Sequence, residues 1–424
     1  MYWDVNSLYG YAQCQALPTG NFRWLSPDEI DYMEIKLKSG IFHKSDNNLS
    51  YALEVDLEYP QHLHTQDSHI QFPFCAEHIT PKESNLKKLC CTLSNKTKYV
   101  IHFENLKQCL KFGLVLKKIH RVIEFRQSDW LKSFIDLNTD FRMKSNSDFE
   151  KNLFKLIINS VFGKFLERDR NKRDIKVVNN WRAASKLISL PHFKRVTIFN
   201  ENLIAVELKR TCIEMNKPLF LGFTILELSK LKMYDFHHDY IQSRISPHFH
   251  PQLLYMDTDS LIYQFTRTDS NSNTSIYDII REDAASHFDT SDYPIHNKWC
   301  IPRVNKKVPG LMKDELKSQI LTEFISLRPK MYIMKVDGRE RTAKVKGVSL
   351  SAKRKLTFED FQRCLFDNEI CFSEFSGIRS QNHQNFSYTI NKLSLSSNDN
   401  KRFIKDNKIA TLPWGHYSLK SLMI

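Results

Sequence analysis

Short stretches of alternating hydrophobic and polar residues are interleaved with longer stretches that repeat every three to four positions, so the chain predicts mixed strands and helices. The opening residues read as a short strand entering a turn or helix. Residues 51–59 alternate as a strand, and residues 195–200 and 202–208 read as two more. Helices are expected over 128–144 and over 148–166, the second starting at an acidic N-cap with Glu150 and Lys151 in its first turn. Residues 223–240 form a third helix with Ile225, Leu228 and Phe236 on one side. Residues 253–265 read as two strands around an acidic turn, and 330–346 as a hairpin turning at Val336-Asp337-Gly338. The Ser/Asn-rich residues 269–275 read as an exposed loop. Residues 380–397 are also polar, although Phe386, Tyr388 and Ile390 interrupt them, so neither stretch is a free linker.

Composition narrows this to a folded, basic protein. The 424 residues are 41% hydrophobic and 26% charged, with 29 Phe, 16 Tyr and 6 Trp to bury, which argues against disorder. Only 11 Gly and 14 Pro leave no room for a linker-rich chain. No apolar run is long enough to span a bilayer, the longest being 218–228, and Met1-Tyr2-Trp3-Asp4 lacks the basic start of a signal peptide. Lys and Arg outnumber Asp and Glu by 62 − 48 = 14, which favours an anionic partner, nucleic acid or an acidic membrane. Nine cysteines, with no CxxC pair, fit a reducing compartment, with nucleus and mitochondrion not distinguished. His62/His64, His237-His238 and His248/His250 lack companion cysteines at zinc spacing and read as surface or packing residues.

The chemistry concentrates in three places. In Tyr255-Met256-Asp257-Thr258-Asp259-Ser260, two carboxylates sit two positions apart at the tip of an expected hairpin with apolar flanks. Such acids repel unless a cation joins them, and hard oxygen ligands suit Mg²⁺; an ordinary acidic turn is the plainer alternative. A further acid, Asp4, opens Asp4-Val5-Asn6-Ser7-Leu8-Tyr9-Gly10. In Lys155-Leu156-Ile157-Ile158-Asn159-Ser160-Val161-Phe162-Gly163, helical spacing places Lys155, Asn159 and Phe162 within a ~60° stripe of one face. A cation, an amide and a ring in that order could meet phosphate, sugar and base. A solvated Lys on an amphipathic helix gives the same pattern.

Taken in order, these elements resemble the family B DNA polymerase motifs DxxSLYP, Kx3NSxYG and YxDTDS, and Arg328-Pro329-Lys330-Met331-Tyr332 resembles the KxY motif. Lys330 and Tyr332, two apart on an expected strand, should point the same way. Leu17-Pro18-Thr19-Gly20, Phe149-Glu150-Lys151, Tyr234-Asp235-Phe236 and Lys344-Val345-Lys346-Gly347-Val348 are similar to the protein-primed branch, most closely the polymerases of Polinton/Maverick elements and related viruses. The likeness reaches Leu412-Pro413-Trp414-Gly415-His416-Tyr417.

The resemblance implies an α+β right-hand fold of palm, fingers and thumb, with an antiparallel palm sheet and helical fingers. It implies the palm start and a first insertion over 1–126, fingers over 127–172, a second insertion and the acidic hairpin over 173–329, and the primer-binding hairpin and thumb over 330–424. Asp4 and Asp259 would bridge two Mg²⁺ ions, or Mn²⁺ in their place, with Val5 as a carbonyl ligand and Asp257 as a supporting acid. Tyr9, beside Leu8, would lie under the incoming sugar and exclude a 2′-hydroxyl. Lys155 would grip the triphosphate with Asn159 and Arg142 or Lys144, while Phe162 and Gly163 face the nascent base pair. Thr258, Lys330 and Tyr332 would hold DNA near the primer terminus.

The implied partners are template-primer DNA, dNTPs and a terminal protein primer, with no membrane. The implied activity is DNA-directed nucleotidyl transfer in the replication of a mobile or viral-type element. A truncated copy that binds DNA without polymerising is the alternative. Gly10 stands where the family has Pro, loosening the chain after Tyr9, and Phe162 stands where it has Tyr. No exonuclease domain is expected ahead of Asp4. Asp56-Leu57-Glu58 has the DxE form of an exonuclease acid pair, but it follows the first motif and reads as structural. Basic clusters at Lys117/Lys118/Arg121, Arg168/Arg170/Lys172/Arg173, Lys344/Lys346 and Lys353/Arg354/Lys355 fit phosphate contact.

Overall fold

A computed structural model describes residues 1–41, 48–82, 84–269, 273–341, 343–381 and 384–419 of the chain. Residues 270–272 of the Ser/Asn-rich stretch and 382–383 of the polar stretch before Ser397 lie outside the described residues. The fold is mixed α+β. Its central sheet has the strand order Phe249–Asp257, Ser260–Arg267, Tyr2–Val5, Met312–Asp314, Phe288–Asp289. All neighbours are antiparallel except the last pair, which is parallel.

The first strand therefore lies in the middle of the sheet, and its alternation divides it cleanly. Tyr2 and Asp4 share one face; Trp3 and Val5, 0% and 1% exposed, share the other. Trp3 sits among Phe236, Tyr263, Phe265 and Phe288, with ring centroids 5.4–5.9 Å away. Burial of a side chain this large stabilises the sheet by upwards of about 2 kcal/mol.

Packed behind that apolar face is the helix Leu219–Tyr234, followed by a π-helical run, Asp235–Ile245. The expected helix over 223–240 thus starts earlier and changes its winding midway. The wider turns bury Phe236, His237 and His238 together. Both histidines hydrogen-bond to backbone, His237 Nε2 donating to the Ser68 carbonyl at 3.0 Å and His238 Nε2 to the Phe72 carbonyl at 2.9 Å. They are packing residues.

A second antiparallel sheet is ordered Leu17–Trp24, Val115–Ser128, Leu49–Glu58, Lys96–His102. Leu53, Val55 and Leu57 face its core, while the alternate acids face out. Asp56 accepts from Lys98 N at 2.7 Å and pairs with His120 at 2.9 Å, Glu54 binds Arg121 at 2.7 Å, and Glu58 pairs with Lys117. The DxE acids and part of the first basic cluster therefore neutralise one another across a strand ladder.

Ser128 still belongs to that sheet, so the helix expected from 128 begins only at Lys132 and runs to Lys144. After three intervening residues Asp148–Phe165 begins, with Ser147 Oγ accepting from Glu150 N at 3.1 Å as its N-cap. Ile135 and Ile158 from this helix pair pack with Ala12, Leu17, Leu221, Ile225 and Leu228. The strands Asp174–Val178, Leu203–Leu208 and Phe193–Asn200 and the helix Trp181–Ile188 form a small unit around Ala184, Ile204, Val206 and Leu208.

Beyond the central sheet, Leu321–Arg328, Met331–Val336, Arg339–Glu340 and Lys344–Val345 form a further antiparallel sheet covered by the helix Phe358–Phe366. A long ribbon follows, Cys371–Gln381 paired with Gln384–Leu395. The chain then returns to the segment between residues 60 and 95: Leu93 N donates to the Trp414 carbonyl at 2.8 Å and His416 Nε2 to the His64 carbonyl at 2.9 Å.

Candidate active site

The acidic turn is a two-residue connection, because Asp257 pairs directly with Ser260. Asp259 N donates to the Asp257 carbonyl at 2.7 Å across Thr258, whose φ is +61°. That is a γ-turn with a β-branched residue at its centre, a strained conformation that persists only where the surroundings hold it. Here the neighbouring strand holds it: Val5 N donates to the Asp259 carbonyl at 2.8 Å, and Asp4 is in register with Ser260. The stitching sets Asp4 and Asp259 side by side.

Their titration reflects this. Burial pushes the Asp4 carboxyl up to about 7, with Asp259 and Glu315 adding to the rise and Lys155 and Lys313 opposing it. Asp259 is raised by burial and by Asp257, against its own backbone N–H, Lys155 and Lys330. Two crowded carboxylates that each favour protonation are an electrostatic deficit which a cation would relieve.

Asp257 behaves differently. Both of its oxygens accept from Lys330 Nζ, at 2.7 and 2.5 Å. Lys330 is not on a strand with Tyr332, as the sequence suggests, but in the turn before Met331–Val336, with φ +63° and its N–H donating to Tyr255 Oη at 2.9 Å. Strand alternation does not extend into that turn, so the two side chains part. Tyr332 is buried, its hydroxyl 3.3 Å from that of Tyr2 and its ring 4.9 Å from Tyr255. In this arrangement Tyr332 supports the sheet, and Lys330 is the residue that reaches the acidic turn.

The helix Asp148–Phe165 borders the same site. Lys155 is exposed and acts electrostatically on both Asp4 and Asp259. One turn on, Asn159 is half-buried, and Gly163 at the far end of the stripe is exposed, with open space around it. Phe162 stacks on Tyr9, ring centroids 4.2 Å apart and planes 18° apart.

Gly10 has a packing role rather than a loosening one. A Cβ there would lie 2.5 Å from Ser7 Oγ and 3.2 Å from Ile158 Cγ2, so the short helix Leu8–Gln13 sits flush on the long one. The Leu8 side chain, 3% exposed, belongs to the main core, which leaves only its backbone for any nucleotide contact. Thr258 is exposed at the tip of the acidic turn and Lys144 is exposed at its helix end. Arg142 is largely buried, and its Nε has no hydrogen-bond partner among the described residues.

Among the described residues no three His, Cys, Asp or Glu side chains converge as a metal-holding group. Of the three expected acids, Asp4 and Asp259 lie side by side, while both Asp257 oxygens accept from Lys330. Those two carboxylates and the Val5 carbonyl are hard oxygen donors, a set that suits Mg²⁺ or Mn²⁺ and not a soft metal. Sequence reading missed Lys313 and Glu315. Lys313 pairs in register with Asp4 and holds Asp292 at 2.7 Å, and Glu315 adds a further negative charge. Nothing in the local pattern of Met312-Lys313-Asp314-Glu315 marks them, because they meet Asp4 only through pairing across 300 residues of chain.

Comparison with known proteins agrees with this architecture. No curated protein sequence matches the chain significantly. Among solved structures, phi29 DNA polymerase complexed with primer-template DNA and incoming nucleotide substrates superposes with a TM-score of 0.54 at 16% identity. That match covers 94% of this chain and 57% of the phi29 chain. The post-translocation binary complex of phi29 polymerase with primer-template DNA gives 0.52 at 16% identity, covering 93% and 57%. This chain thus spans a little over half the length of phi29 polymerase, and at such identity the likeness is one of fold, the right-hand polymerase fold. The profile of DNA polymerase type B, organellar and viral, matches residues 1–241. With more than half of its length matched, the chain belongs to the organellar and viral type B DNA polymerases.

Proposed function

We propose that this chain is the core of a DNA-directed DNA polymerase that adds dNTPs to a primer 3′-hydroxyl. The observation that carries the reading is the placing of Asp4 on the central strand beside Asp259 in the turn of the neighbouring hairpin, tied by Val5 N to the Asp259 carbonyl, with Lys155 in their field. In this reading the central sheet is the palm, the two helices between 127 and 172 are the fingers, and the region from 330 onward is the thumb. The segments before and after the fingers are the insertions of the protein-primed branch, one of them meeting a terminal protein.

Asp4, Asp259 and the Val5 carbonyl would hold the divalent cations, which when bound supply charge neutralisation at the triphosphate and acidity at the 3′-hydroxyl. The protein's own contribution is positioning. Lys155 binds phosphate as a point charge. Asn159 lies one turn further along the same face, toward the sugar. Tyr9, backed by Phe162, walls off the space a 2′-hydroxyl would need. Lys330, released from Asp257, meets the primer strand, with Thr258 beside it. The engagement of Asp56 and Glu58 by His120 and Lys117 supports no nuclease role for that pair. The nine cysteines are all unpaired, which supports a reducing compartment. Family B likeness to mobile-element polymerases supports a role in replicating such an element.

Primer extension on a primed template with Mg²⁺ tests the reading. Wild type should extend, and Asp259→Asn should lose at least about 10³-fold in rate while still retaining DNA in a filter assay. Equal extension by both would sink the assignment. Salt-sensitive binding without any extension by wild type would point to the element-derived copy that binds but does not polymerise.

A further inference from the structure

Gln13, the last residue of the short helix Leu8–Gln13, is 0% exposed. Its neighbour Ala12 and the residue it reaches, Ile158 of the long helix Asp148–Phe165, both belong to an apolar cluster with Leu17 and Ile135. The Gln13 amide donates twice from Nε2, to the Tyr9 carbonyl at 3.0 Å and to the Ile158 carbonyl at 3.3 Å. Its Oε1 is buried and has no partner among the described residues. A buried amide oxygen without a donor loses its hydration uncompensated, so packing alone favours Leu or Met at this place.

The two carbonyls belong to the two sides of one ring stack. The first is that of Tyr9 itself. The second is the carbonyl four residues before Phe162, the one a helix joins to the Phe162 N–H. One amide nitrogen therefore ties the backbone of Tyr9 to the turn of the long helix that ends in Phe162, and those residues carry the rings stacked at 4.2 Å. The short helix needs such a tie. Its six residues are too few to hold a direction alone, and Ser7 before it, at φ +47°, makes no side-chain cap. Gly10, three residues before Gln13 and so on the same face, lets the helix lie close on Ile158. Contact with a methyl group sets a distance only, whereas a hydrogen bond also sets a direction.

We propose that Gln13 is a positioning residue for sugar selection, which by bonding both carbonyls holds the Tyr9 ring against Phe162 where the 2′-hydroxyl of a ribonucleotide would enter. This rests on the nucleotidyl-transfer reading. A glutamine near a helix end also bonds the carbonyl four residues back with no further consequence. Gln15 does so, its Nε2 donating to the Tyr11 carbonyl at 3.1 Å from a half-buried place. Gln13 differs in being wholly buried and in reaching a second helix 145 residues away.

The test uses the full chain and the substitution Gln13→Met, which keeps the length of the side chain and removes the donor. It orphans neither carbonyl, because in a helix each also accepts from the N–H four residues on. Melting temperature should therefore stay within about 3 °C of wild type. In primer extension the ribonucleotide-to-deoxyribonucleotide ratio of kcat/KM should rise about threefold or more. In a Tyr9→Ala background the same substitution should leave the ratio where Tyr9→Ala put it, because Gln13 acts through that ring. A reading independent of activity comes from nuclear magnetic resonance of the tyrosine-labelled chain. The Tyr9 ring signals, identified by their loss in Tyr9→Ala, should move in Gln13→Met as the Phe162 ring shifts against them. Should Gln13→Met fail to fold, Gln13→Leu carries the same comparisons. Wild type that extends primers, with an unchanged ratio in Gln13→Met, overturns the proposal and leaves Gln13 a packing residue. A rise as large again in the Tyr9→Ala background overturns it too, since Gln13 would then act elsewhere. If wild type extends nothing, the polymerase reading falls. Tyr9 signals that move in Gln13→Met then still uphold the tie between the rings, and unmoved signals overturn it.

Discussion

At Tyr9 the ring is held face to face on Phe162 at 4.2 Å, and Phe162 in turn sits on a long capped helix. In the proposed reading such a wall would discriminate by shape, because the ring cannot swing aside without losing the stack. Tyr9→Ala should raise ribonucleotide incorporation relative to deoxyribonucleotide by about tenfold or more, measured as the ratio of kcat/KM values. An unchanged ratio would remove Tyr9 from sugar selection. Phe162 lacks the hydroxyl usual in the family, yet its ring makes the stack on Tyr9 without it. Gly10 is likewise explained by contact: a Cβ there would lie 2.5 Å from Ser7 Oγ and 3.2 Å from Ile158. The motif residues were legible one by one, but Lys330 was not, since its direction follows from a positive φ in a turn that alternation cannot foresee.

Among elements, the acidic hairpin and the helices Lys132–Lys144 and Asp148–Phe165 emerged close to expectation because their signals are local. Apolar flanks around Asp257 and Asp259 and a Ser147 cap are both written in consecutive residues. The helix over 223–240 was misjudged where it turns π-helical, since the gain there comes from burying His237 and His238 against other segments. The loop 304–311 was missed altogether. Its value lies in contacts with Asn6 and Tyr11, far away in sequence. Gly310, at φ +85° with Tyr11 against it, should tolerate no side chain. Gly310→Ala should cost about 2 kcal/mol or more, read as a lower denaturation midpoint. A melting curve like that of wild type would show that the loop can move away from Tyr11.

For the whole molecule, neutral histidines are part of the core that joins the two large sheets. Burial lowers His69, His102 and His237 to about 4, and His238 further still. His237 Nε2 donates to the Ser68 carbonyl and its Nδ1 lies 2.7 Å from Tyr263 Oη, so both ring nitrogens are engaged while the ring is neutral. Each folded-state pKa is depressed below the unfolded value, and for a base that stays neutral the unfolded chain binds more protons as pH falls. The stability is therefore complete above roughly pH 6.5 and is lost progressively between there and 4, on the order of a few kcal/mol per histidine. Melting temperature should fall by about 5 °C or more between pH 7.5 and pH 5. A flat profile across that window would show that these rings protonate in the folded state.

The sequence by itself determined the chemistry available: a basic chain, three acids in two motifs, and a Lys-Asn-Phe stripe on one helix. Periodicity and composition are properties of neighbouring residues, so they survive without a fold. The tertiary structure decided which of these groups meet. It set Asp4 beside Asp259 by putting Asp4 in register with Ser260, diverted Asp257 to Lys330, and brought Lys313 and Glu315 to Asp4 from a segment that carries no motif. Register and loop packing depend on free energy summed over distant contacts, and no local pattern of residues encodes that sum.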